Sequence, residues 1–308
     1  MVGAAPMRLA HFSDPHILDL TGVGPSRLLL NKRVTGAVNL FVLRKSKHRP
    51  FVVESMMDDI RAQRVDHVAI TGDLTNLALE PEFARAKEVF ARMGLPADRV
   101  SVVPGNHDLY TGGARRTQRF ASFFREHITS DLPIDTEDSH PSGPFPYVRL
   151  RGPVAIIGLS TAVPRLPLVS SGYAGRRQLE LLAEILDHAE VKSRTPVLLM
   201  HHPLVNPGHV LTLLRGFLEA SKVRALLERC AHSLVLHGHL HERVRHEFHH
   251  APSNSRLHHM GATSASLMHH DRDRGSGYNV YDIGPRGLER AHARVYDPVG
   301  AAWIEREL

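Results

Sequence analysis

Seven side chains at five separate places in the chain could hold metal ions. They are Asp14 and His16 in Ser13-Asp14-Pro15-His16, Asp73 in Thr71-Gly72-Asp73-Leu74-Thr75-Asn76, Asn106 in Pro104-Gly105-Asn106-His107-Asp108, a histidine of His201-His202-Pro203, and His239 and His241 in Gly238-His239-Leu240-His241. Two carboxylates, one amide oxygen and at least four imidazoles, with no thiolate, suit borderline or hard cations such as Mn²⁺, Fe²⁺/Fe³⁺, Zn²⁺ or Co²⁺. Seven ligands exceed what one tetrahedral zinc needs. They suffice for two ions about 3.5–4 Å apart if one carboxylate bridges them. Glycine precedes Asp73, Asn106 and His239, and its freedom at φ lets the backbone turn sharply so that the next side chain enters the crevice.

Each block follows a short apolar run. The strand candidates are Met7–Phe12, His67–Thr71, Arg99–Val103, Val154–Leu159, Val197–Met200 and Leu234–His237, each bounded by Gly, Pro, Asp or His. Five of the six deliver oxygen or imidazole ligands at their carboxyl ends, where open α/β sheets bind their ligands. Between them, Pro50–Gln63, Glu82–Met93 and Arg176–Ala189 carry apolar residues at three- and four-residue spacing and predict helices. After His241 the texture changes: Arg243–Phe248, Leu257–Met260, Tyr278–Ile283 and Arg290–Tyr296 read as strands with no helix between them. Strand–helix units followed by strands alone predict helices packed on two facing sheets within one domain, residues 1–308. Two stretches break the pattern. Residues 24–49 read as a helical basic insert with apolar runs and the cluster Arg44, Lys45, Lys47, His48 and Arg49, and Ile128–Pro146 reads as a surface loop.

Composition narrows the class. The 308 residues carry 38 Lys and Arg against 32 Asp and Glu, and a surplus of +6 over so long a chain does not announce a nucleic-acid binder. One cysteine, Cys230, excludes an intrachain disulfide framework and fits a reducing compartment. There is no run of 18 apolar residues, and the N-terminus lacks a basic stretch followed by an apolar core. A cytoplasmic location is therefore expected. The 23 histidines matter only where a metal could use them.

The five blocks, in this order over residues 14 to 241, resemble the signature of the calcineurin-like metallophosphoesterase superfamily. The fuller strings Gly-Asp-Leu-Thr-Asn, Gly-Asn-His-Asp, His-His-Pro and His-Gly-His-Leu-His look most like its bacterial branch of class III cyclic-nucleotide phosphodiesterases and glycerophosphodiesterases. The resemblance implies a four-layer αββα sandwich, two mixed β-sheets flanked by helices, with the active site at the strand carboxyl ends. It implies two divalent or mixed-valence ions, Mn or Fe favoured over Zn or Co. Asp14, His16 and His241 would hold one ion and Asn106, His201 and His239 the other, with Asp73 bridging. His201 is taken over His202 because the family's ligand is the first residue beyond the strand. His107 resembles the family's non-ligand histidine, which contacts phosphate and protonates the leaving oxygen. Leu204 stands where many relatives carry a second proline, a departure that bears on the pocket wall.

The expected function is hydrolysis of phosphodiesters, with 3',5'-cyclic nucleotides as the favoured substrate, through a water made acidic by two cations. A pyrophosphatase acting on a nucleotide-sugar or lipid-linked diphosphate is the rival enzyme. A non-catalytic scaffold is the rival from another class. Asp108 reads as a turn or cap residue, and Asp108 and His202 are both candidates for neighbours of the ligands or substrate contacts. His246, His249, His250, His258, His259, His269, His270 and His292 read as surface or strand residues, with His269 or His270 within reach of the crevice rim. Gly261-Ala262-Thr263-Ser264 resembles a family turn that returns to the site, and Cys230 reads as a buried small hydrophobe. Ser26–Arg49 has three readings: a substrate cover, a peripheral contact with an anionic membrane, or a solvated basic face.

Overall fold

Alternating burial along short strands decides how this chain layers. The computed structural model describes residues 5–24, 49–109, 117–136, 139–166, 169–205, 209–269, 271 and 273–308. The basic stretch 26–49, apart from Arg49, and His270 lie outside them. In chain order the elements are β1 (Met7–Phe12), α1 (Pro50–Ala62), β2 (His67–Ile70), α2 (Glu80–Ala91), β3 (Val100–Val102), α3 (Arg119–Phe124), β4 (Tyr147–Arg151), β5 (Val154–Gly158) and α4 (Arg176–Asp187). There follow α5 (Ala189–Lys192), β6 (Thr195–Leu199), α6 (His209–Arg215), α7 (Ala220–Leu227) and β7 (His232–His237). The chain ends with β8 (Val244–His250), β9 (Ser255–Gly261), β10 (Gly277–Gly284), β11 (Gly287–Asp297) and β12 (Ala302–Glu307).

The strands form two six-stranded mixed sheets, ordered β12-β11-β10-β1-β2-β3 and β4-β5-β6-β7-β9-β8. β1, β2 and β3 run parallel in the first, and β5, β6, β7 and β9 in the second. Alternation in β5 places the layers: Val154 and Ile156 join the core shared with the first sheet, and Ala155 and Ile157 face the other way. There they meet Leu182, Ile185 and Leu186 of α4 and Val223 and Leu227 of α7. On the first sheet's outer side α1 buries Val53, Met56, Met57 and Ile60, and α2 buries Phe83, Ala86, Val89 and Phe90. Helix, sheet, sheet, helix is the sandwich expected from the sequence.

Some elements depart from the sequence expectation. The helix expected over Arg176–Ala189 stops at Asp187, because His188 is extended and its Nδ1 accepts the Glu190 N–H to start α5. β4 follows directly on the segment 128–146, whose end is no surface loop: Ser142 and Phe145 are fully buried. β4 escaped detection because two of its five residues are arginines. One of them, Arg149, is fully buried and donates to the carbonyls of Thr129, Ala97, Val100 and Glu126 and to Thr129 Oγ1. It ties together two stretches of chain, 97–100 and 126–129, over the edge of the sandwich. Arg149→Met, which keeps the stem and removes the donors, strands several buried carbonyls and is expected to cost about 3–5 kcal/mol. A drop in the urea midpoint, with the circular dichroism of the parent retained at low temperature, is the measurement.

The histidines of the C-terminal part are not all surface residues. His259 and His292 are buried, and His259 stacks on His237 with ring centroids 4.2 Å apart. Cys230 is half-buried against the second core rather than enclosed. Among the described residues, no helix is long and apolar enough to cross a membrane.

Candidate metal centre

All five blocks arrive at one edge of the sandwich, beyond the carboxyl ends of β1, β2, β3, β6 and β7. The chain turns there by an unusual route. Asp14, His16, Asp73, His239 and His241 themselves adopt left-handed φ values of 53°, 47°, 51°, 69° and 54°. Such a conformation is uncommon outside glycine, and strained residues of this kind cluster at functional sites. The preceding glycines serve partly for another purpose than expected. Only Gly72 has positive φ, at +92°, whereas Gly105 and Gly238 are needed for close approach. A Cβ on Gly105 would sit 2.2 Å from Asp73 Oδ1, and one on Gly238 would sit 1.9 Å from Ser13 Oγ.

The convergent side chains fall into two groups that share one carboxylate. In the first, His241 Nε2 lies 3.0 Å from Asp14 Oδ1 and 3.2 Å from His16 Nε2. In the second, Asn106 Oδ1 lies 3.2 Å from His201 Nε2 and 3.1 Å from His239 Nδ1, and those two nitrogens are 3.3 Å apart. Asp73 Oδ2 stands between, 4.0 Å from His16 Nε2 and 3.5 Å from His201 Nε2. Its other oxygen accepts the His107 backbone N–H at 2.7 Å.

This donor set fits divalent cations. Two ligand nitrogens on one ion, each about 2.0–2.1 Å from it, lie about 3.0–3.4 Å apart. The His16–His241 and His201–His239 nitrogen pairs have that spacing, at which neutral imidazoles repel unless a proton or a cation lies between them. The far nitrogens are also committed. His201 Nδ1–H donates to the Thr71 carbonyl at 2.7 Å, and His239 Nε2–H to the Arg215 carbonyl at 2.8 Å, the second contact that metal-ligating histidines ordinarily make. Ligand atoms of Asp14, His16 and His241, and of Asp14, Asp73 and His201, lie within 4.8 Å of one another.

Electrostatics agree with this reading. Burial alone would raise the Asp73 carboxyl, but His201, His107 and His16 outweigh it and hold its pKa well below the usual carboxylate value. Burial likewise opposes charge on His201, yet the Asp73 and Asp14 carboxylates raise it to about 9. His239 goes the other way: burial and the neighbouring His201 lower it to about 3, so its ring is neutral. Without a cation these carboxylates favour the protonated His201 ring, and a divalent ion bound there would displace that proton.

The remaining candidates are placed as follows. His107 Nδ1–H donates to the Asn76 carbonyl at 2.9 Å, and the His107 ring stands edge-on to His16 at 5.1 Å. His202 is enclosed: Thr161 Oγ1 bonds its Nδ1 at 2.8 Å and its Nε2–H donates to the Ser170 carbonyl at 2.7 Å. Its ring lies 4.5 Å from that of His239, so it wedges the neighbouring ring in place. Asp108, fully buried, accepts from Leu74 N, Thr75 N, Thr75 Oγ1 and Gly105 N and ties two of the ligand loops together. Ser264, in the small-residue turn, donates to the Asp14 carbonyl, which brings that turn back to the first strand. His269 accepts the Asp271 N–H and belongs to neither group.

Two further positioning contacts had no signal in the residues considered. Asn76 Nδ2 donates to the His16 carbonyl at 2.6 Å, so one residue holds both a candidate ligand and His107. It was legible only as the last letter of Gly-Asp-Leu-Thr-Asn. Glu82, at the start of α2, accepts the N–H groups of Asn76, Leu77 and Leu79 and braces the loop from below. Its burial pushes the carboxyl up to about 8 against those three donors.

Among solved structures, a purple acid phosphatase from yellow lupin (Lupinus luteus) seeds superposes with a TM-score of 0.59 at 11% identity, over 98% of this chain and 53% of that one. The chain thus spans about half the length of that phosphatase. Wild-type Vps29 from Entamoeba histolytica, complexed with zinc, gives a TM-score of 0.42 at 11% identity, over 98% and 99% of the two chains. No curated protein matches the sequence. A family model described as calcineurin-like phosphoesterase matches residues 7–243. Since that span runs from β1 to just past His241 and takes in every block that supplies the cluster, the chain belongs to the calcineurin-like phosphoesterase family.

Proposed function

We propose that the chain is a dinuclear-metal phosphodiesterase. The observation that carries this reading is Asp73 Oδ2, within 4.0 Å of one group of nitrogens and 3.5 Å of the other, where one carboxylate oxygen can serve two ions. Asp14, His16 and His241 would hold the first ion and Asn106, His201 and His239 the second, with the Asp73 carboxylate shared between them. Bound divalent cations supply Lewis acidity and a low-pKa water, and they neutralise charge on the phosphoryl oxygens. The chain's own residues position these parts. The carbonyls of Thr71 and Arg215 orient the His201 and His239 rings, and Asp108 and Glu82 lock the loops that carry Asp73 and Asn106. His107, oriented through Nδ1 by the Asn76 carbonyl, protonates the departing alkoxide from Nε2. No serine or cysteine nucleophile is required. Mn or Fe suits the mixed carboxylate, amide and imidazole donors.

The motif strings favour cyclic nucleotides as substrate. Nucleotide-sugar or lipid-linked diphosphates are the second reading, favoured by exposed leucines beside His239. The test is a panel of bis-p-nitrophenyl phosphate, cyclic AMP and a UDP-sugar with the Mn²⁺-loaded protein. Hydrolysis of the diester is expected, abolished by EDTA and restored by Mn²⁺. A metal-loaded protein inert toward the whole panel would leave the scaffold reading standing.

A further inference from the structure

Exposed large apolar side chains are concentrated, among the described residues, in one stretch of the chain. Among the described residues, nine large hydrophobic side chains are exposed, and seven of them fall between Leu166 and Leu218. Four lie on or just after α6: Leu211, Leu213 at 65% exposure, Leu214 and Leu218. Solubility would favour polar residues here, and a contiguous exposed apolar surface marks an interaction site. The segment is not loosely attached. Phe217 is fully buried in the second core, Leu218 N–H donates to the Gly172 carbonyl, and Ser170 N–H donates to that of Leu214. The leucines are therefore held facing solvent.

Two observations identify the occupant. The last residue of α6 offers its carbonyl to His239 Nε2 at 2.8 Å, which sets the end of this leucine-bearing helix against the second group of candidate ligands. The opposite edge of the same strap is tied to the centre through Ser170, whose carbonyl holds His202. In the chain, Arg165 directly precedes the exposed Leu166 and Arg215 directly follows the exposed Leu214. A group that lies on this surface while reaching the cations must be apolar and must end in a phosphoryl anion.

We infer that the α6 rim binds the alkyl chain of an amphiphilic phosphoester whose phosphate sits in the metal centre. This rests on the phosphoesterase reading and names its substrate class, placing an alkyl-bearing ester ahead of a cyclic nucleotide. Burial of about two methylenes corresponds to roughly tenfold in affinity, so a longer chain has ample margin.

The test is calorimetric binding of decyl phosphate and methyl phosphate, below the decyl ester's micelle concentration, to the Mn²⁺-loaded protein, with decyl maltoside as uncharged control. Decyl phosphate is expected to bind at least tenfold more tightly than methyl phosphate, and the margin should vanish in Leu213→Gln/Leu214→Gln. That variant should hydrolyse methyl p-nitrophenyl phosphate like the parent protein. Equal binding of the two phosphates, an unchanged margin in the variant, or decyl maltoside binding as well as decyl phosphate would overturn the inference. Failure of the phosphodiesterase reading would show separately, as no hydrolysis of bis-p-nitrophenyl phosphate while both phosphates still bind.

Discussion

Asp73→Ala is expected to lower phosphodiester hydrolysis by at least about 10³-fold, on the order of 4 kcal/mol of transition-state stabilisation. The chain should remain folded. The reason is positional. Asp73 Oδ2 is the atom near both nitrogen groups, and Oδ1 holds the backbone of His107. Truncation therefore removes the proposed bridge between the ions, frees the loop that carries the proposed acid, and leaves His201 without the nearer of the carboxylates that raise its pKa. Bound metal, measured by elemental analysis after Mn²⁺ loading and desalting, should fall from two per chain to one or fewer. Circular dichroism should match the parent. Full activity with two metals retained would reject the bridging role and the dinuclear assignment with it.

Gly105→Ala should have the second-largest effect, although it touches no ligand atom chemically. The new methyl would lie 2.2 Å from Asp73 Oδ1 and 2.3 Å from Asp73 N. Those atoms cannot yield cheaply, because Gly72 is already packed against Gly105: a Cβ on Gly72 would meet Gly105 N at 2.5 Å. Overpacking here is expected to cost about 1–3 kcal/mol of stability. It should also push Asp73 away from Asn106 and cut activity by about 10²-fold or more, since angstrom-scale misplacement has that consequence. Gly152→Ala is the control. Unlike Gly105, that residue has positive φ, at +52°, and no heavy atom lies within 4 Å of a Cβ there. It should lose about 1–2 kcal/mol for its left-handed backbone and keep its activity. Similar stability losses with opposite effects on hydrolysis would separate crowding at the site from backbone strain.

Much of this arrangement was legible in advance. Apolar runs at strand length predicted β1, β2, β3, β5, β6 and β7 to within a few residues at each end, because strands buried on both faces have little choice of composition. The ligand types and their recurrence after those runs place five loops at one edge. β4 and β12 were missed for the complementary reason. Edge strands bury less, and Arg149 and Arg151 in β4, like Glu305, Arg306 and Glu307 in β12, are charges that local patterning assigns to solvent. No element was expected over α6, whose Leu211, Leu213 and Leu214 stand in solvent.

What the sequence alone determined is the chemical inventory and its order along the chain: two carboxylates, an amide and a set of imidazoles, each one step beyond a buried strand. Partnership was decided only in three dimensions. That His201 and not His202 faces Asn106 depends on Thr161 and Ser170, distant in the chain, which claim both nitrogens of His202. That Asp73 stands between two groups depends on two glycine backbones pressed together across neighbouring strand ends. Such contacts join residues tens to hundreds of positions apart, and local composition carries no record of them, because the free energy that selects them arises only when the two sheets close on each other.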